Sequence, residues 1–331
     1  MRQRLWTHRM AQAACGLLLA AGAFLALGTL EGRATWAATK NLRVAYIPIA
    51  NALQLFVAMD KGFFAQEGIT VTAKVQTGGA TIAPAMEAGE VDVGFSNILT
   101  IITARDRGFD FQFLVNGALN VDPTHSPNSL LVRADSPLRT PKDLEGKRLA
   151  LNILASINEL VLKVAAEKLG FDLGKINLQE IPFPNMNPAL KNNTTDAIVA
   201  SEPFVTVAMQ GGEARPLIKN FYGVMGPRIL IASWFAKKAW IEKNPDLAQG
   251  VARAMNRATE YINAHPEERG QILARHSRVK ADLAAKIGWA AFSVDMLTSD
   301  VQPMIESAKK FGYIKNVFEA SDIVSKTVTM R

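Results

Sequence analysis

Apolar residues recur along this chain with two alternating periods. Leu42–Ile47 is a short apolar run typical of a strand, and Ala52–Gln66 repeats apolar residues at helical spacing. Ile69–Val75 then alternates apolar and polar positions, a short helix is expected over Gly78–Gly89, and Val91–Phe95 is expected to be a buried strand. Strands that alternate with helices predict an α/β fold with a largely parallel sheet.

The same alternation resumes after a turn-rich joint at Ser136–Pro141. Strands are expected at Lys147–Asn152 and Asp196–Ala200, with a helix at Asn158–Leu169. The segment Pro182–Pro188 is rich in proline and asparagine, which predicts a loop.

A short pattern occurs twice. Pro84-Ala85-Met86 leads to Asp92 and a buried strand, and Pro188-Ala189-Leu190 leads to Asp196 and another, with an offset of 104 residues throughout. Two copies of one unit indicate two similar lobes. The alternative is that many αβ units share such a turn.

The predicted strand Ile229–Phe235 returns the chain to the first lobe, and a helical tail follows it. We therefore assign residues 40–134 plus 227–331 to the first lobe and residues 135–226 to the second.

The carboxyl ends of parallel strands, beside helix N-termini, are where open α/β sheets bind ligands. The residues that follow the strands there are our candidates for ligand binding: Ile49, Asn51, Gly79, Ala80, Thr81, Ser96, Asn97, Ser156 and Glu202. The Gly-Gly-Ala-Thr turn at 78–81 exposes backbone N–H groups that suit an anionic head group. The alternative is that these residues only turn and cap a helix.

Glu202 is the acidic residue among these candidates. It follows a buried strand and precedes Pro203, which predicts a position at the cleft, where its carboxylate could hold an amine. A compact zwitterion would satisfy both this carboxylate and the helix N-termini opposite. The alternative is an N-terminal acid that only stabilises its own helix.

The N-terminus has the order of a secretory signal. Arg2, Arg4 and Arg9 precede the uncharged run Met10–Leu30, and small residues follow. We expect residues 1–37 to be a cleaved signal peptide and the mature protein to be periplasmic. A run of this length could also span a bilayer, so retention as a membrane anchor is the alternative.

Composition excludes several kinds of protein. The net charge is +7 without a dense basic run, which argues against nucleic-acid binding. Cys15 is the only cysteine and lies in the signal, so the mature chain has no thiol nucleophile or disulfide. The four histidines form no spaced zinc pair, and neither a P-loop nor a Gly-x-Ser-x-Gly elbow occurs. We expect no enzyme activity, no metal and no cofactor.

Several runs resemble one protein family: Leu42–Tyr46, Ala58–Phe64, Gly89–Gly94, Ser129–Arg133 with Asp143–Arg148, Glu202–Phe204 and Lys243–Leu247. They are similar to the substrate-binding proteins of ABC importers for nitrate, aliphatic sulfonates and taurine. That group also includes proteins similar to pyrimidine-precursor synthases, which use a cysteine-rich motif.

The resemblance implies a two-lobed periplasmic-binding-protein type II fold with a hinge. It also implies a small-molecule ligand, an ABC importer permease as partner, and a monomer that closes on its ligand. Two alternatives stay open: a protein that binds or makes a thiamine-pyrimidine precursor, and a ligand-sensing partner of a membrane receptor.

Overall fold

The structure is a computed structural model that describes residues 39–121, 126–277 and 279–328. The predicted signal peptide lies outside the described residues. Within them, no helix has the length and apolar character that crossing a membrane requires.

The strands of the described residues belong to two sheets. In chain order they are β1 (Lys40–Tyr46), β2 (Ile69–Val75), β3 (Val93–Asn97), β4 (Phe111–Asn120), β5 (Asn128–Arg133), β6 (Arg148–Leu151), β7 (Asn177–Glu180), β8 (Ala197–Ser201), β9 (Ala214–Ile218), β10 (Ile229–Lys237) and β11 (Ala291–Phe292).

The helices of the described residues flank these sheets. In chain order they are α1 (Leu53–Asp60), α2 (Phe63–Gln66), α3 (Gly79–Glu87), α4 (Ile98–Asp106), α5 (Ile157–Leu169), α6 (Phe183–Lys191), α7 (Phe204–Gln210), α8 (Lys238–Lys243), α9 (Pro245–Ala264), α10 (Arg269–His276), α11 (Ala281–Ala284) and α12 (Thr298–Lys310).

The two sheets share one strand order. The first runs β2-β1-β3-β10-β4 with β11 added at its edge, and the second runs β7-β6-β8-β5-β9. In both, the first three strands are parallel and the fourth is antiparallel to its neighbours. The predicted α/β architecture of two sheets flanked by helices is confirmed.

The chain passes between the sheets twice, from β4 to β5 and from β9 to β10. Strand β5 pairs with β8 and β9, so residues 128–133 lie in the second sheet although our first lobe extends to residue 134. Each sheet therefore receives its fourth strand from chain that has just left the other. The division of the chain into lobes stays a prediction.

Two local expectations were wrong. Pro182–Pro188 is not a loop, because α6 begins at Phe183, with Pro184 in its first turn where a missing N–H is tolerated. The expected helix Ala52–Gln66 is divided into α1 and α2 by Gly62, whose φ of 68° lies in the left-handed region.

A buried polar contact fixes α1 in the first lobe. The Gln54 side chain lies at 0% exposure, and its amide nitrogen donates to the Thr259 hydroxyl at 2.5 Å. Its oxygen accepts from the indole N–H of Trp234 at 2.9 Å. These bonds tie α1 to α9 and β10, and so hold the turn that precedes α1 against the sheet.

Candidate functional site

A cavity lies where the carboxyl ends of the two sheets face each other. The space not occupied by protein atoms there measures about 340 Å³, part of which is open to solvent. Its apolar wall consists of Ile47, Ile49, Phe95, Ile157, Phe183, Ile231 and Ala232. Its polar wall consists of Asn51, Asn97, Asn128, Asn152, Asn158, Ser201 and Tyr222. Both sheets contribute to both walls, as expected for a ligand site at strand ends.

The polar wall of the second lobe is a chain of hydrogen bonds. The buried Tyr222 hydroxyl donates to Asn158 Oδ1 at 2.8 Å, and Asn158 Nδ2 donates to Asn152 Oδ1 at 2.9 Å. Burial raises the pKa of Tyr222 well above its ordinary value, so the hydroxyl keeps its proton. This series of hydrogen bonds fixes the orientation of the Asn158 and Asn152 side-chain amides. The amino group of Asn152 lies at the end of the series.

The first lobe contributes a helix cap to the same cavity. Asn97 ends β3, and its Oδ1 accepts from the backbone N–H of Thr100 at 3.3 Å at the start of α4. With its oxygen engaged in the cap, the side chain has its amino group left for a ligand.

Asn51 is buried in a turn between β1 and α1. The turn is held to the second lobe because the Ala50 backbone N–H donates to the Glu202 backbone carbonyl at 2.8 Å. Asn51 is 1% exposed, and its Oδ1 has no hydrogen-bond partner in the described part of the chain. Such unpaired buried acceptors are uncommon, because each loses its hydration without a replacement bond.

The electrostatics of the cavity come from amides and helix ends. No charged side chain stands among its lining residues, all of which lie in described parts of the chain. Helix α4 begins after Asn97, and α5 begins after Ser156, with Ile157 and Asn158 in the cavity wall. Helix N-termini carry partial positive charge, so this end of the cavity favours negative oxygens.

Three of our nine predicted site residues line this cavity: Ile49, Asn51 and Asn97. Gly79 and Ala80 line a separate groove instead, together with Leu154 and Ala155 of the second lobe. The Thr81 hydroxyl donates to the Gly78 carbonyl at 2.8 Å, which is a turn contact within the chain. As ligand-binding residues, all nine stay predictions.

Two predicted serines make protein contacts. Ser96 is fully buried, with its hydroxyl 3.0 Å from that of Thr100. The Ser156 hydroxyl donates to the Ile153 carbonyl at 2.8 Å.

The Glu202 side chain does not line the cavity. It is 2% exposed and accepts from the Thr206 backbone N–H at 3.0 Å and the Thr206 hydroxyl at 2.8 Å, in the first turn of α7. It also accepts from the Gly288 backbone N–H at 3.0 Å, in the segment that leads to β11 of the first sheet. The carboxyl therefore caps its helix and joins the two lobes, which agrees with the helix alternative.

The ionisation of Glu202 reflects this environment. Burial raises the pKa of Glu202 from 4.5 to about 7, although the bonds from Gly288 and Thr206 oppose the shift. No basic side chain compensates, so desolvation of the charged form is the larger effect.

The cavity residues that were missed from the sequence include Asn128, Asn152, Phe183 and Tyr222. Asn152 stood at the carboxyl end of a predicted strand, so the rule that selected Asn51 could have selected it. Phe183 was hidden by the wrong loop assignment. Asn128 begins a strand and Tyr222 lies in a short helical turn, and neither position carries a local signal.

Comparison with known proteins identifies relatives. The model of the family described as "NMT1/THI5 like" matches residues 49–269. The taurine-binding periplasmic protein of Escherichia coli K12 is 24% identical over 259 residues, which cover 78% of this chain and 75% of that protein. A 4-amino-5-hydroxymethyl-2-methylpyrimidine phosphate synthase of Legionella pneumophila is 22% identical over 251 residues, 75% of each chain.

A solved structure shares the fold. The alkanesulfonate-binding protein SsuA from Xanthomonas axonopodis pv. citri, bound to MOPS, matches with a TM-score of 0.70 and 20% identity. The match covers 89% of this chain and 100% of that one. The two-lobed periplasmic-binding-protein fold that the sequence predicted is confirmed.

Proposed function

The chain belongs to the NMT1/THI5-like family, and on that premise we propose that it is an extracytoplasmic solute-binding protein. It captures a small organic anion or zwitterion for an ABC importer. The observation that carries this proposal is the cavity between two sheets of one strand order, with each lobe supplying part of the wall. Such a site is complete only when the lobes are together, so ligand binding and closure are coupled.

The polar groups of the cavity support this ligand class. The amino groups of Asn97 and Asn152, with the starts of α4 and α5 beside them, suit the oxygens of a sulfonate or carboxylate. The names of the similar proteins point to the same chemistry, since one binds taurine and another an alkanesulfonate.

We infer that the chain is not an enzyme, although one relative is named as a synthase. Acid–base and nucleophilic catalysis need a titratable side chain at the substrate. The described lining residues include no carboxylic acid, histidine, lysine or cysteine. The titratable side chain among them is Tyr222, whose hydroxyl donates to Asn158 and keeps its proton because burial raises its pKa. Glu202 has a pKa near neutrality, but its oxygens are held by Thr206 and Gly288.

The mature protein acts outside the cytoplasmic membrane, where it meets the importer permease as a monomer. The basic, apolar and small segments at residues 1–37 support export. Mass spectrometry of the protein from cell envelopes tests this, because a mass that retains Met1–Leu30 would indicate an anchored protein.

The test of the function is ligand binding with closure. A thermal-shift screen of taurine, alkanesulfonates and nitrate should raise the melting temperature for at least one compound, since a ligand that binds the folded state stabilises it. Small-angle scattering with that compound should show compaction, and a screened compound without a thermal shift is the control. Identical scattering profiles at saturation would contradict a closing cleft.

Uptake distinguishes transport from sensing. Deletion of the gene should abolish import of the radiolabelled ligand. Unchanged import, with altered transcription of ligand-responsive genes, would contradict the transport role.

A further inference from the structure

Asn51 lines the cavity and carries a buried acceptor without a hydrogen-bond partner in the described part of the chain. Three buried side-chain oxygens lack a partner in the described part of the chain: those of Asn51, Gln179 and Asn187. Of these residues, Asn51 lines the cavity. The local structure holds it there, since Ala50 is bonded to the Glu202 carbonyl and Gln54 to Thr259 and Trp234.

The other amides of the wall have the opposite arrangement. The oxygens of Asn97, Asn152 and Asn158 each accept a hydrogen bond from the protein. The amino group of Asn158 also donates to Asn152, whereas the amino groups of Asn97 and Asn152 have no acceptor in the described part of the chain.

Asn128 has the same arrangement as Asn97 and Asn152, since its oxygen accepts from the Ser201 hydroxyl at 3.4 Å and its amino group has no acceptor in the described part of the chain. The wall therefore offers amide donors from Asn97, Asn128 and Asn152 and an unpaired amide acceptor from Asn51. A ligand that fits it has an acceptor group at one point and a donor group at another.

We propose that Asn51 is the specificity-determining residue of this site and that its Oδ1 accepts a hydrogen bond from an N–H donor of the ligand. The proposal rests on the proposed function and deepens it. The ligand class is a compact zwitterion whose acid oxygens meet Asn97 and Asn152 while its amine meets Asn51. The amine partner is thus the neutral Asn51 rather than Glu202, whose carboxyl is engaged elsewhere.

Discrimination follows from the unpaired atom. A ligand without a donor leaves the Asn51 oxygen buried and unsatisfied, whereas an amine completes its hydrogen bonding. Sites built to bond a donor reject analogues that lack it far more strongly than apolar pockets reject a missing methylene. We expect about a tenfold or larger preference for the donor-bearing member of a matched pair.

The test uses taurine and ethanesulfonate, which differ by the ammonium group, with calorimetry on the full mature chain. The wild type should prefer taurine by about tenfold or more, and Asn51→Leu should remove that preference. Asn97→Leu is the matched control, because Asn97 lies in the same wall but supplies an amino group. It should weaken both ligands and keep the preference. A wild type that binds both equally, or an Asn51→Leu variant that still prefers taurine, would overturn the proposal.

A second measurement needs no ligand. Asn51→Leu removes an unpaired buried acceptor, so the ligand-free protein should melt about 2 °C higher. Asn97→Leu removes a helix cap and should melt lower. If neither probe binds the wild type, the proposed ligand class is contradicted, and the melting comparison still decides the role of Asn51. An equal or lower melting temperature for Asn51→Leu would overturn it.

Discussion

The two lobes hold their sheets together with the same ion pair. Arg43 of β1 donates to Asp92 from its backbone N–H, its Nε and its Nη2, at 2.9, 3.0 and 2.6 Å. Arg148 of β6 makes the same three bonds to Asp196, at 2.9, 3.0 and 2.9 Å. Each arginine also donates to a turn carbonyl, of Gly89 or Asn193. The echo in the sequence therefore marks one structural unit built twice.

The two sheets differ in sequence at the carboxyl ends of their parallel strands. With the offset of 104 residues, Asn97 corresponds to Ser201 and Ile98 corresponds to Glu202. The ion pairs lie at the amino ends of the parallel strands, and the cavity lies at their carboxyl ends. The two lobes thus share an ion pair at the amino ends of their parallel strands and differ in sequence at the carboxyl ends, where the cavity lies.

Asp196 lies at the amino ends of the strands and Glu202 at the carboxyl ends, and their pKa values are shifted in opposite directions. The side-chain hydrogen bond from Arg148 holds the pKa of Asp196 below its usual value. Burial without a basic partner raises the pKa of Glu202 to about 7. A charge that is paired stabilises the fold when ionised, whereas an unpaired buried acid stabilises it when protonated.

The largest expected effect concerns Glu202 and pH. Because its folded pKa of about 7 exceeds its ordinary 4.5, the folded state binds this proton more tightly than the unfolded state. The stability from this group is complete below pH 4.5 and is lost as the pH rises through 7. We expect the free energy of unfolding to fall by about 3 kcal/mol between pH 5 and pH 8, measured by urea denaturation.

Glu202→Gln should remove most of that dependence, because the amide does not titrate. Asp196→Asn is the control and should keep the pH dependence. The pKa of Asp196 is lowered, so this carboxyl titrates below the range from pH 5 to pH 8. A flat profile in the wild type would show that the bonds from Thr206 and Gly288 outweigh burial.

A smaller effect on stability is expected for the Arg–Asp ion pair that the two lobes share. Asp92→Asn should lower the free energy of unfolding by about 2 kcal/mol, because it weakens charge-assisted bonds to a carboxylate only 11% exposed. Asp196→Asn should cost about 1 kcal/mol, because that carboxylate is 29% exposed and better screened. Neither should change ligand affinity, measured by calorimetry. A loss of affinity in either variant would contradict the division between structural and binding edges.

The smallest effect on stability is expected where the lobes touch. A Cβ on Gly78 would lie 3.4 Å from Ile153 Cγ2 and 3.5 Å from Asn152 Nδ2, both in the second lobe. Gly78→Ala should therefore be tolerated. Gly78→Leu should hold the lobes apart and weaken binding about tenfold, or about 1.4 kcal/mol, with little change in unfolding. Equal affinities for the two variants would show that closure does not bring these surfaces together.

Much of the frame was predictable from local pattern. The periods of apolar residues and the repeated acidic turn determined the α/β class and the two similar lobes, because each depends on neighbours along the chain. The rule that ligands bind at carboxyl ends of strands selected Asn51 and Asn97 for the same reason. It could not separate them from Ser96 or Glu202, whose side chains point into the protein.

The tertiary structure alone decided what the selected residues do. Whether a polar side chain faces a ligand depends on which donors the fold brings beside it, and those partners come from distant chain. Gly288 stands 86 residues after Glu202 and donates to its carboxyl, while no described donor reaches Asn51 Oδ1. Tyr222 lines the cavity and donates a hydrogen bond to Asn158, which lies 64 residues earlier. The sequence determined which residues stand at the strand ends, and packing decided which of them were left unpaired.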